Sequence, residues 1–306
     1  MDWRNEIIAA GDRIAGHIRR TPVMTLDLPG VAGTVELKLE HVQHTGSFKA
    51  RGSFNSLLSL DVPKGGVVAA SGGNHGAAVG FAAARLNIPA HIFVPEMAGA
   101  AKIGLIRHTG AELTVVSGAY ADALEAALAY EARTGAMQIH AYDAPATIAG
   151  QGTCLAEWEN QGLEADTILI AVGGGGLIGG SLAWSQSRRK IVAVEPETSC
   201  ALNAALKAGA PVDVEVSGIA ANALGARRIG AICFDLAKAQ GISSLLVSDD
   251  AIASAQKLLW HEARQLVEPA GATALAALLS GAYQPEPGER VAVLICGANP
   301  SNDPLA

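Results

Sequence analysis

Apolar residues follow two alternating rhythms from one end of the chain to the other. The runs TVELKLE (34–40), GVVAAS (66–71), AHIFVP (90–95), ELTVVS (112–117), TILIAV (167–172), KIVAVE (190–195) and RVAVLIC (290–296) are short and rich in β-branched residues. They predict strands. Between them lie Ala-rich stretches at 75–86, 99–108, 119–133, 176–187, 249–265 and 272–280, long enough for helices. Several strand runs are apolar throughout, as a parallel sheet covered on both faces requires. The alternation predicts an α/β protein with an open, doubly wound, mostly parallel sheet. Residues 66–143 read as a self-contained strand–helix series, a smaller α/β domain inserted into a larger one formed by 1–65 and 144–306. In such sheets ligands bind where strands end and helices begin.

Composition narrows the partners. Half of the 306 residues are hydrophobic, 17% are charged and the net charge is −7. With no Lys/Arg cluster and 4% aromatic residues, nucleic acid and anionic membrane surfaces are not expected partners. No apolar run approaches the roughly 18 residues of a membrane span, and the amphipathic start MDWRNEIIAAGDRIAGHIRR lacks a signal-peptide core. Cys154, Cys200, Cys233 and Cys296 are far apart, without a CxxC pair, which predicts reduced thiols and a cytoplasmic setting. His41 and His44 have the spacing of metal ligands but no evident third partner, so no metal is expected.

The chemistry concentrates in three stretches. GGGGLIGG (173–180) follows a strand run and opens a helix. Its backbone N–H groups can converge on a phosphate, helped by the positive end of the helix. Two ligands fit that description. Gly174, Gly176 and Gly179 satisfy the dinucleotide fingerprint, with Glu195 about 20 residues on as a ribose-binding acid; on this segment alone a nicotinamide or flavin is favoured, a smaller phosphorylated cofactor being the alternative. ELKLEHVQHTGSFKARGSFN (36–55) places Lys49 just inside a helix, beside Phe48 and Phe54 and bracketed by Gly46 and Gly52. A lysine in an apolar, glycine-lined pocket has a lowered pKa and a free amine able to form a Schiff base. ASGGNHGAAVGFAAARL (70–86) ends a strand and turns through Asn74-His75-Gly76 into a helix, presenting Ser71, Asn74 and backbone N–H groups as a carboxylate cradle.

GSFKARG, SGGNHG, GGGGLIGG and LICGAN, in this order and spacing, resemble the fold-type II pyridoxal-phosphate enzymes of the tryptophan synthase β-like fold. The likeness is greatest to the serine/threonine dehydratase and serine racemase branch, and it spans RTPV (20–23) to ICGAN (295–299). It implies that Lys49 carries pyridoxal 5'-phosphate as an imine and later acts as base. Gly173, Gly174, Gly175, Gly176 and the Leu177 amide would hold the phosphate, and Glu195 loses its ribose role. Asn74 would bond the ring hydroxyl, with Phe48 and Gly218 at the cofactor and Cys296 beside the ring nitrogen. Ser71, Gly72, Asn74 and His75 would hold the substrate carboxylate, making 66–143 the carboxylate-binding domain. The implied reaction is β-elimination from a hydroxy amino acid such as L-threonine or L-serine, giving a 2-oxo acid and ammonia. A bulkier or charged 3-hydroxy amino acid is the alternative, followed by β-replacement or threonine synthesis, and outside the family by a nicotinamide oxidoreductase. The branch also implies a homodimer.

Several departures from that pattern carry information. Gly72 stands where racemases place a serine as second proton donor, so little racemisation is expected. Glu195 is present, but the second acid of a divalent-cation site is replaced by Ala201. Ser217 replaces an acid before Gly218, and Arg51 replaces the Asp of threonine synthases. Arg227 and Arg228 could face an acidic substrate, a solvated surface being the expected alternative. Glu268 reads first as a helix-start acid.

Overall fold

The computed structural model describes residues 1–28, 30, 31 and 33–300. Its strands are β1 (Val23–Asp27), β2 (Thr34–Lys38), β3 (Val67–Ala70), β4 (Ala90–Pro95), β5 (Glu112–Val116), β6 (Met137–Gln138), β7 (Thr167–Ala171), β8 (Lys190–Pro196), β9 (Ser243–Val247) and β10 (Val291–Leu294). They form a larger sheet in the order β1-β2-β10-β7-β8-β9 and a smaller one in the order β5-β4-β3-β6. Every pairing is parallel except that of β1 with β2. All seven expected strands are present. The three not expected lie at sheet margins: β1 and β9 are partly exposed edge strands and β6 has two residues.

Helices cover both sheets. The strands β3 and β7 are buried at every position, which is why their sequences do not alternate. The helix Pro269–Leu279 starts three residues before its expected boundary, with Pro269 in the first turn, where a missing N–H costs nothing. A helix not expected from periodicity, Pro145–Glu159, is buried over most of its length, so no polar stripe marks it. Trp158 on that helix is fully buried, and its indole N–H donates to Glu36.

The topology puts the ends of β2, β10 and β7 side by side. Lys38 is in register with Leu294, and Val293 with Leu169. The chain beyond β2 leads to Lys49, that beyond β10 to Cys296, and that beyond β7 to the glycine run. In the smaller sheet β3 and β6 are neighbours, and beyond them lie the Ser71–His75 turn and residues 139–142.

Beneath Lys49 an ion cluster locks this arrangement. The Arg51 guanidinium donates to Glu40 Oε1 at 2.5 Å and Oε2 at 3.0 Å, and to Glu157 Oε2 at 3.0 Å. Lys38 Nζ donates to Glu157 Oε1 and Gln161 Oε1, both at 2.6 Å, and to the Thr21 carbonyl. Arg51, Lys38 and Glu40 are fully buried, so each charge is compensated by its neighbours. The helix Lys49–Ser59 is thereby tied to β2 and to Pro145–Glu159. Burial acts to raise the Glu40 pKa, but Arg51, Thr21 and Lys38 together hold the carboxyl below its ordinary value.

Replacing Arg51 with Met strands a buried carboxylate and should lower unfolding free energy by about 3–5 kcal/mol, read as a shift in urea midpoint. A carboxyl depressed in the folded state adds stability above its unfolded pKa and loses it as pH falls. The gap between the two proteins should therefore narrow on acidification.

Candidate active site

Lys49 is the first residue of its helix, reached through two short 3-10 turns, Glu40–Val42 and His44–Gly46. Ser47 bridges antiparallel to Gly297, and the Phe48 N–H donates to the Cys296 carbonyl at 3.2 Å. The segment before Lys49 is thus laid against the chain leaving β10. Lys49 Nζ donates to the Ala141 carbonyl at 2.7 Å and lies 5.1 Å from the Phe48 ring centroid. No carboxylate pairs with it among the described residues. Burial pulls its pKa down to about 8, against an opposing pull from Cys296. Phe54, expected beside it, instead packs in the core against His17 and Phe81.

The glycine run turns at Gly175, whose φ of +93° suits a residue without Cβ. The helix Gly176–Ser185 follows. A side chain on Gly174 would run into the Tyr142 ring, and one on Gly175 would come within 2.6 Å of Cys233 Sγ. No hydrogen bond engages the N–H groups of Gly173, Gly174, Gly175, Gly176 or Leu177 among the described residues. Unspent amides at a helix start make an anion site. Lys49 and this loop therefore meet consecutive residues, the amine bonding the Ala141 carbonyl and the loop packing on Tyr142.

The third element is the turn after β3. The Ser71 hydroxyl accepts from the Gly73 N–H at 3.3 Å, and the helix Asn74–Arg85 begins without a side-chain cap. The N–H groups of Asn74 and His75 are likewise unengaged among the described residues. His75 Nε2 bonds the Ile139 carbonyl at 2.8 Å, which places the proton on Nε2. Burial, reinforced by Lys49, drives its pKa down to about 3, so the ring is neutral. Asn74 Nδ2 donates to Glu268 Oε1 at 2.6 Å, and Asn74 Oδ1 accepts from Asn299 Nδ2 at 2.8 Å. One hydrogen of Asn74 Nδ2 stays available.

Cys296 Sγ donates to the Ala270 carbonyl at 3.4 Å. Burial, with Glu268 as the next cause, pushes its thiol well above the ordinary range, so it stays protonated. Glu268 is buried, and burial raises its pKa to about 7 despite the Asn74 hydrogen bond. Read from sequence as a helix-start acid, it also stands directly behind Asn74. Gly218, with φ +83°, lies on the loop beyond β8, where Ser217 N–H donates to the Thr198 carbonyl and Ile219 N–H to Asp249.

The remaining candidates are engaged elsewhere. Glu195 accepts from the Leu202 and Asn203 N–H groups, each at 2.8 Å, and from Ser244 Oγ at 2.5 Å; it caps the helix Ala201–Ala208. Arg228 Nε pairs with Asp213 at 2.6 Å in solvent, and Arg227 is exposed. His41 bonds Gln265, and His44 stacks on Phe81. Ala141, Tyr142 and Asn299 were not singled out from sequence. A carbonyl has no sequence signal, but Tyr142 is one of only four tyrosines and Asn299 closes the ICGAN motif.

A cofactor with an aldehyde and a phosphate fits this donor set: a low-pKa amine at one end, unspent amides at the other, and an amide hydrogen between. Known proteins resemble the chain accordingly. The family model described as pyridoxal-phosphate dependent enzyme matches residues 14–297. A phenylserine dehydratase of Ralstonia pickettii is 34% identical over 294 residues, covering 94% of this chain and 90% of that one. An L-threonine ammonia-lyase of Thermotoga maritima is 36% identical over 272 residues, covering 87% and 67%. The solved structure of maize serine racemase superposes with a TM-score of 0.91 at 32% identity, covering 97% of this chain and 93% of that one.

The amine at position 49 should react with pyridoxal phosphate only when unprotonated. Capture of the aldehyde by cofactor-free protein, followed by visible absorption, should speed up with rising pH and level off above about 8. Lys49→Ala should abolish the absorption at every pH.

Proposed function

We propose that this chain, which belongs to the pyridoxal-phosphate dependent enzymes, eliminates water from a β-hydroxy amino acid to leave a 2-oxo acid and ammonia. What carries the proposal is the meeting of a deprotonatable amine and an anion loop on the consecutive residues Ala141 and Tyr142. A dinucleotide would use the loop and leave a buried, unpaired lysine without purpose; Glu195, its ribose partner, is already spent on a helix start.

Bound pyridoxal phosphate supplies a conjugated ring that draws off the electron pair left at the substrate's α carbon. The amides of Gly173, Gly174, Gly175, Gly176 and Leu177 would hold its phosphate, and the spare hydrogen of Asn74 its ring hydroxyl. Phe48 and Gly218 would flank the ring, with Cys296 at its nitrogen. The turn Ser71, Gly72, Asn74 and His75 would hold the substrate carboxylate. Lys49 Nζ, neutral over part of the physiological range, takes the proton from the α carbon. Cys296 keeps its own proton and offers no negative charge to stabilise a protonated ring nitrogen. The electron pair at the α carbon is then best relieved by loss of the β-hydroxyl, which leaves as water with the proton that Lys49 took from the α carbon. The enamine that remains hydrolyses to the 2-oxo acid and ammonia, so atoms and charge balance.

Inversion at the α carbon would need a second proton donor opposite Lys49. Gly72 has none, and a β carbon there would collide with that of Ala98. We also infer that the two sheets are two lobes, 1–65 with 144–306 and 66–143, with the substrate between them, and that the working form is a cytoplasmic homodimer. Among the described residues no helix is long and apolar enough to cross a membrane.

Purified protein loaded with pyridoxal phosphate should release 2-oxo acid from at least one of L-threonine, L-serine, phenylserine or 3-hydroxyaspartate. Lys49→Ala should release none and lose the borohydride-trappable imine; a variant that keeps both refutes the proposal. With L-serine, D-serine should stay undetectable while 2-oxo acid accumulates, as chiral chromatography would read.

A further inference from the structure

The helix Ala100–Arg107 carries a charge that the reaction described so far does not use. Lys102 is 3% exposed, yet among the described residues no carboxylate pairs with it. Its one hydrogen bond is long, 3.5 Å from Nζ to the Asn222 carbonyl. An ammonium has three donors, so two remain unclaimed. A buried cation left this way is costly unless something that binds there completes it.

Its position indicates what that is. A β carbon built on Gly73 would lie 3.9 Å from Lys102 Nζ, so the ammonium borders the turn whose Asn74 and His75 amides are unspent. The small cavity it lines also touches Ile219, Asn222, Glu268, Ala270 and Asn299, and thus adjoins Asn74. The other groups in the turn are neutral. His75 donates to a carbonyl and stays uncharged, and Ser71 and the amides carry only dipoles. Glu268 bears on Lys102 only beyond ion-pair distance. With Lys49 taken up by the cofactor, an anion placed on the Asn74 and His75 amides would find Lys102 as the positive charge nearby, in a site with little water to screen it.

We propose that Lys102 is the counter-charge of the substrate's α-carboxylate and the residue that selects amino acids over plain amines. It rests on the turn being the carboxylate cradle of the proposed reaction. The helix dipole and amides orient the carboxylate, and Lys102 supplies the charge that makes binding favourable. The same contact ties the smaller sheet's helix to the 217–224 loop of the larger lobe through Asn222, so the carboxylate arrives where the lobes already touch.

The test uses the cofactor-loaded protein and visible absorption, with L-alanine and ethylamine as ligands. L-Alanine has the carboxylate but no leaving group, and ethylamine is its counterpart without the carboxylate. Lys102→Met should weaken L-alanine binding at least about tenfold while leaving the unliganded spectrum and the ethylamine response unchanged, and Lys102→Arg should restore most of the loss. Unchanged L-alanine binding, or an equal loss for both ligands, would overturn the assignment. The unmodified protein gives a second measure that does not depend on a variant folding. L-Alaninamide, of the same size but without the negative charge, should bind at least about tenfold more weakly than L-alanine, and equal binding would again overturn it. Because neither ligand turns over, protein that binds L-alanine through Lys102 yet yields no 2-oxo acid refutes the reaction and not this residue's role.

Discussion

A primary amine kept free of any acid is the constraint on which the site depends. Lys49 has a carbonyl and an aromatic ring for neighbours, and its pKa falls to about 8 because no carboxylate holds it up. The protein maintains this by sorting its charges. Glu40 and Glu157 are consumed by Arg51 and Lys38 away from the amine. Cys296 is held protonated, His75 neutral, and Glu268 near the border of ionisation. An ionised acid moved from the lower layer to the upper one would raise the amine's pKa and remove its reactivity.

The second dependence is geometric. Lys49 belongs to the larger sheet's chain and Ala141 to the stretch leaving the smaller sheet, and one hydrogen bond joins them. Asn74, from the smaller sheet, is held from both sides by Glu268 and Asn299 of the larger. Chain from both sheets thus surrounds Lys49 and Asn74. If, as proposed, the two sheets belong to separate lobes, any shift between them would alter the amine and the Ser71–His75 turn together.

Much of this could be read from the residues. Most of the seven expected strands announced themselves because burial on both faces leaves continuous apolar runs; β5, a partly exposed edge strand, showed itself through its β-branched residues instead. Cys296 and the glycines follow strand ends of the larger sheet, whose parallel order sets β2, β10 and β7 side by side; Lys49 lies two short turns beyond β2, and Asn74 follows β3 of the smaller sheet. What escaped notice did so for physical reasons. The edge strands β1 and β9 lack an apolar signature because solvent covers part of them. Pro145–Glu159 has no continuous polar face because the helices Trp3–Ile14, Lys49–Ser59 and Gly176–Ser185 all pack against it. Ala141 acts through its carbonyl, which every residue has. Lys102 went unremarked, since a sequence does not reveal which turn of an Ala-rich helix faces inward. Phe54 was expected at the amine and went to the core, because at five residues beyond Lys49 a helix has turned through more than one full revolution.

In the proposed reaction, the choice among outcomes would rest on three small residues, Cys296, Gly72 and Ala201. Lys49 and the phosphate loop would serve any enzyme of this family, so they cannot decide between elimination, transfer and inversion. Cys296, buried and protonated, supplies no negative charge where a ring nitrogen would need one to keep a proton, which disfavours long-lived storage of the electron pair. Gly72 removes the second proton donor, and Ala98 fills the space a larger residue would need. Ala201, in place of an acid, leaves Glu195 to bind amides rather than a cation. Each replaces a charge or a proton with nothing, and together they leave expulsion of the β-substituent as the easiest way to discharge the α carbon.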